Sequence, residues 1–227
     1  MTELHPFAKS LFRRQAARIE FEVFQKKAER EIRAACVETP RFRALEQHFD
    51  FRVTIDHPDT VQASFGHRSM FRKDLEGKVA FESGVCLLYS LGPTGEVIVT
   101  IYPSKSSLAK VAEDQLHIGL DHFSAYQLLK RVKSDIRALV AYGYVSSLDA
   151  EPTWGEWLRI AWLRWIKPSQ VGGKFETGKM HAYSKQAAFS ILRGAFTAMI
   201  SPLGFLVVIG LLYFFGKSDW AALLKAK

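Results

Sequence analysis

Four side chains near the middle of the chain, Asp114, His117, Asp121 and His122, have the types and spacing that a metal or acid–base site requires. Imidazole and carboxylate ligate zinc and its relatives, and a histidine beside a carboxylate can move a proton near neutral pH. On a helix, Asp114, His117 and Asp121 would share one face at steps of three and four. A membrane-tethered metal-dependent hydrolase using His117, Asp121 and His122 is therefore the alternative reading of this chain. QLHIGL (115–120) alternates as a strand does, however, and a strand turns His117 away from Leu116 and Ile118. The cluster then disperses, with Asp121 or Ser124 left to cap the next helix.

Other candidates are weaker. Asp56, His57, Asp59 and His67 group carboxylate with imidazole, but Asp-His-Pro-Asp is first of all a turn. Pro103-Ser104-Lys105-Ser106-Ser107 offers hydroxyls and a lysine to an anion, but is better suited to capping the segment that follows. Cys36 and Cys86 both lie in apolar patterns and read as core thiols; two cysteines exclude a disulfide scaffold and a multi-cysteine zinc module. The chain has no phosphate-cradling glycine loop, no His-Glu-x-x-His and no nucleophile elbow. Neither a metal nor a cofactor is expected, and the leading reading is non-enzymatic.

The elements around these residues form an α+β domain over 1–150. With 227 residues, 48% of them apolar, the chain can bury a real core. A long helix is expected over 6–38, with Phe12, Ala16, Ile19, Val23, Ala28, Ile32 and Cys36 as its stripe, Phe21 and Phe24 off it, and Pro40 beyond its end. Such a helix could pack on its own sheet or dimerise. FRVTI (51–55), VQASFG (61–66), VCLLYSL (85–91), EVIVTIYP (96–103) and QLHIGL give four or five mainly antiparallel strands, the third and fourth joined by GPTG. Helical spacing returns over 123–142.

Beyond 150 the composition turns toward a membrane. Thr153-Trp-Gly-Glu156 has capping-box spacing and Lys167-Pro168 is a stop, so a helix is expected over 153–167. Trp154, Trp157, Leu158, Trp162 and Trp165 share one half of it, while Glu156, Arg159 and Lys167 fall on the other. That is the make-up of a helix lying in the bilayer interface, with Arg159, Arg164 and Lys167 at the headgroups. The competing expectation packs the Trp face on the domain. Residues 168–183 read as a flexible linker, loosest at Gly172-Gly173.

Between Arg193 and Lys217 lie 23 uncharged residues, about 34 Å as a helix against about 30 Å of hydrocarbon. A helix over 184–216 is thus expected to carry a single transmembrane span at about 195–215, followed by a short tail (217–227) with Trp220 at the interface. MTELHPFAKSLFRRQ lacks an apolar run of signal-peptide length, so the N-terminus is expected in the cytoplasm. A bacterial inner membrane fits best, and a eukaryotic tail-anchored protein would look similar.

Charge favours anionic partners without naming one. The net charge is +8, and residues 155–193 carry seven Lys or Arg against two Glu, which favours anionic lipid headgroups. Eight cations from Lys9 to Arg33 alternate with glutamates, as in a helix laced by local ion pairs, so nucleic acid is not the expected ligand. The expected protein is a membrane-anchored module that binds a protein partner or a second copy of itself. A sharper form is an effector that perturbs the bilayer through the Trp helix and the Pro- and Gly-containing span.

Overall fold

The computed structural model describes residues 8–55, 57–73, 76–109 and 113–176. All of them belong to one contact unit that ends at Lys179. Within it, helix α1 (Ala8–Glu38) opens the chain as expected, and a short α2 (Phe42–Phe49) follows Pro40. Strands β1 (Phe51–Thr54), β2 (Thr60–Phe65), β3 (His67–Lys73), β4 (Val79–Ser83), β5 (Cys86–Leu91), β6 (Val97–Tyr102), β7 (Lys105–Ser106) and β8 (Gln115–Asp121) come next. Helices α3 (Ala125–Ser146) and α4 (Trp154–Ile166) precede a small hairpin, β9 (Ser169–Val171) and β10 (Lys174–Glu176).

The fold is α+β with an antiparallel sheet, larger than the four or five strands expected. Seven strands run in the order β1-β2-β5-β6-β8-β9-β10, and β3-β4-β7 form a second sheet. The sequence hid the additional strands for separate reasons. HRSMFRK (β3) is charge-rich and carries a register break between Ser69 and Lys73, so it shows no clean alternation. β9 and β10 have three residues each, too few for a period. Gly172-Gly173 is nevertheless a turn signal. Gly172 and Gly173 have φ of 56° and 78°, the two left-handed residues that a tight two-residue hairpin requires. Residues 169–176, expected within a flexible linker, instead extend the main sheet.

One face of that sheet carries the core. Val61, Ala63, Leu87, Tyr89, Val99, Ile101 and Leu116 are fully buried beneath α1 and α3. The stripe expected on α1 is corrected in its N-terminal half. Phe21 and Phe24, placed off it, are buried and continue through Ala28 and Ile32, whereas Phe12 and Ile19 are 63% and 62% exposed. The helix has two apolar stripes, and the sheet takes the one that brings Phe24 against the Tyr89 ring, with centroids 5.1 Å apart.

A buried polar knot ties α3 to the sheet. The Tyr89 hydroxyl donates to Asp135 (2.8 Å), which also holds the Arg131 guanidinium (Nε to Oδ2, 2.7 Å). Arg131 in turn donates to the Ile118 carbonyl, and it passes so close to Gly119 that a Cβ there would lie 2.3 Å from its Nη1. Burial pushes the Asp135 carboxyl up, and Arg131 and Tyr89 only partly offset that.

Among the described residues no helix is long and apolar enough to cross a membrane. The expected span at about 195–215, the rest of 184–216, the tail and Trp220 lie outside the described residues.

Candidate membrane-docking face

Helix α4 is bounded as its sequence dictates. The Thr153 Oγ1 accepts from the Glu156 N–H (3.3 Å) and the Glu156 carboxylate accepts from the Thr153 N–H (2.7 Å), the reciprocal pair of a capping box. At the other end Lys167 N–H closes on the Leu163 carbonyl before Pro168.

The helix sits on the domain by a narrow apolar contact that charged side chains flank. Ile160 is fully buried, and Leu163 packs on the edge of the core. Flanking them, Arg164 donates from Nε to Glu113 Oε1 (2.7 Å), and the Tyr142 hydroxyl donates to the same oxygen (2.5 Å). Burial, and then the Glu113 charge, push the Tyr142 hydroxyl far above its usual range, so it stays a protonated donor. At the N-terminal end Arg41 bonds Glu156 (2.5 Å) and the Glu151 carbonyl (3.0 Å) while lying 3.6 Å from the Tyr144 ring centroid.

An ordinary surface helix buries its whole apolar stripe, whereas α4 buries Ile160 and Leu163 and leaves its larger apolar face outward. Trp154, Trp157, Trp162 and Trp165 are 73%, 46%, 54% and 43% exposed, and Leu158 is exposed between them. Trp154 stacks on Trp157 (centroids 5.2 Å), and Trp162 meets Trp165 edge-on (5.7 Å). About half or more of each indole is left uncovered by the described residues, with Trp162 reaching the side of the helix that faces α3. Arg159 is exposed beside it and Lys167 is half-buried. Arg164, expected at the headgroups, is instead bound to Glu113.

The weaker candidates separate. His117 Nδ1 lies 3.0 Å from Thr100 Oγ1, its ring stacks on Phe175, and burial pulls its pKa down. Together with Ile98, Leu120 and Ile166 it lines a cavity of about 420 Å³. His122 Nδ1 contacts the Gly95 carbonyl and its backbone N–H donates to Asp121; Asp114 accepts from Gly173 N–H. Ser124, and not Asp121, caps α3. Among the described residues no group of three or more His, Cys, Asp or Glu is placed to hold a metal ion. His67 Nδ1 is 2.9 Å from Ser83 Oγ, while Asp56 is outside the described residues. Lys105 and Ser106 form β7. Burial pushes the Cys36 and Cys86 thiols up to about 12 and about 11.

The residues the sequence did not flag are Glu113, Tyr142 and Arg41, which hold α4 in place. Glu113 and Arg164 are 51 positions apart, and no local pattern links them. No protein-family model, curated protein or solved structure matches the chain.

Proposed function

We propose that the protein is a membrane-anchored, non-enzymatic module, held by one C-terminal span with its α+β domain in the cytoplasm and resting on the bilayer through α4. One observation carries this reading: four tryptophans and Leu158 are left exposed while the buried Ile160 and the ion pairs to Glu113 and Arg41 hold the helix on the domain. An apolar face left outward costs free energy unless something covers it. Tryptophan is also the side chain best suited to the headgroup level, where the ring is buried and the N–H stays wet. Quenching by lipids brominated at the upper acyl positions tests it, with the full chain in vesicles and Trp220→Phe removing the fifth indole. Emission from the remaining four should be strongly quenched; emission equal to that in unbrominated lipid would refute docking through α4.

The module meets a second copy of itself along α1. Phe12, Ala16, Ile19 and Val23 follow the alternating four- and three-residue steps of a helix–helix seam, and Phe12, Ile19 and Val23 are exposed. Because both native thiols are buried or half-buried and held protonated, a cysteine introduced at Ile19 would be the reactive one. In vesicles it should give a disulfide-linked dimer that Phe12→Asp removes. Failure to cross-link would assign the stripe to another protein.

A further inference from the structure

Between α3 and the first turns of α4 runs a groove of about 510 Å³, within the usual range of small-ligand clefts. It is lined by Arg41, Arg137 and Arg159 on the cationic side and by Glu38 and Glu156 on the acidic side. Both acids are already engaged. Glu156 is bound by Arg41, and Glu38 by Lys133, each at 2.5 Å. Neither Arg137 nor Arg159 makes a hydrogen bond or ion pair with the described residues, and both are exposed. Beyond Lys133, Arg137 lies near enough to Glu38 for its charge to lower that carboxyl's pKa but donates no hydrogen bond to it, so two guanidiniums keep their N–H groups free beside the N-cap Thr153 and Gly155, a setting for a phosphate. Arginine matches phosphate oxygens two at a time, and the positive end of the α4 dipole adds to it.

The groove does not end there. Gly155 and Arg159 also line an adjoining groove of about 630 Å³, whose other walls include Leu158, Trp162, Leu163 and Ala138. A cationic end thus opens directly into an apolar end along the Trp face. Free phosphate would use only the first; an amphiphile uses both.

We propose that Arg137 and Arg159 bind the phosphate of an anionic phospholipid, whose acyl chain lies along Leu158 and Trp162. This deepens the membrane reading and rests on it. The site gives the docked domain a lipid preference, so that α4 selects anionic bilayer as well as apolar depth.

The test is native mass spectrometry of the full chain in detergent, titrated with phosphatidylglycerol and phosphatidylcholine of matched chains. Wild type should retain one phosphatidylglycerol about 10-fold in preference to phosphatidylcholine, a difference of about 1.4 kcal/mol. Arg137→Gln with Arg159→Gln should abolish that preference. Lys26→Gln with Lys27→Gln, which removes two exposed α1 cations, should leave it intact. A preference that survives in the arginine variant, or is lost equally in the lysine variant, overturns the proposal. So does displacement of the lipid by inorganic phosphate at equal concentration, which would make the site a phosphate site. Bromolipid quenching of the arginine variant separates this from docking itself: quenching that persists with the preference unchanged condemns the groove alone. Loss of quenching in wild type condemns the docking reading, whatever the groove binds.

Discussion

Alanine at Trp154, Trp157, Trp162 and Trp165 together will lower the affinity of a chain ending at Lys179 for anionic vesicles about 100-fold or more, without unfolding it. The size follows from area. The exposed fractions of the four residues amount to about two whole side chains, or about 300–500 Å² at 150–250 Å² per ring. At about 25 cal/mol/Å², full coverage is worth about 8–12 kcal/mol. Partial immersion at the headgroup level and loss of freedom on binding reduce that sum. About 3 kcal/mol surviving from it already corresponds to the 100-fold change. The fold should persist, because the buried side of α4 is Ile160 and Leu163, which the variant leaves alone. Vesicle flotation measures the affinity, and circular dichroism the fold. Undiminished flotation would mean that the cations alone hold the domain to lipid, and salt would then release it.

Arg164→Ala should free α4 from the domain. Its partner Glu113 is only 7% exposed, so among the described residues the variant leaves a buried carboxylate supported by the Tyr142 hydroxyl alone. Breaking a buried ion pair from one side typically costs 3–5 kcal/mol. The Arg164 side chain is 35% exposed, which places the expected loss near the lower end, at about 3 kcal/mol. If unfolding of the domain is two-state, its melting temperature falls by about 6–12 °C. Amide exchange over 154–166 should accelerate more than exchange over α3, because α4 is held at its edges while α3 lies in the core. Arg164→Ala with Glu113→Gln should recover part of the loss, since the stranded charge is gone. Unchanged exchange in α4 would show that Ile160 and the Arg41–Glu156 pair are sufficient to hold the helix.

The two variants act on opposite sides of one helix. Removing the tryptophans takes away what the membrane holds; removing Arg164 takes away what aims them. Both should weaken vesicle binding, but only the second should destabilise the domain. That contrast separates an outward-facing docking helix from one whose tryptophans serve the core.

The sequence by itself determined the features whose causes are local. Thr153 and Glu156 bound α4 through a capping box, Ser124 and Gln127 do the same for α3, and β5 and β6 pair because two β-rich runs flank GPTG. These depend on groups a few positions apart, so spacing is enough to read them. The tertiary structure decided which face of a helix looks inward. Periodicity divides α4 into a Trp side and a charged side, and the hydrophobic effect favours burying the first. The partners of the second, Glu113, Tyr142 and Arg41, converge only after the sheet and α3 have packed, and together with the seat for Ile160 they set which face looks inward. On α1 the same limit applies: two apolar stripes were present, and the Tyr89 ring on β5 took Phe24. The cluster at 114–122 belongs with the local features, since the alternation of QLHIGL already made 115–120 a strand, and the extended backbone of β8, paired to β6, parts those side chains.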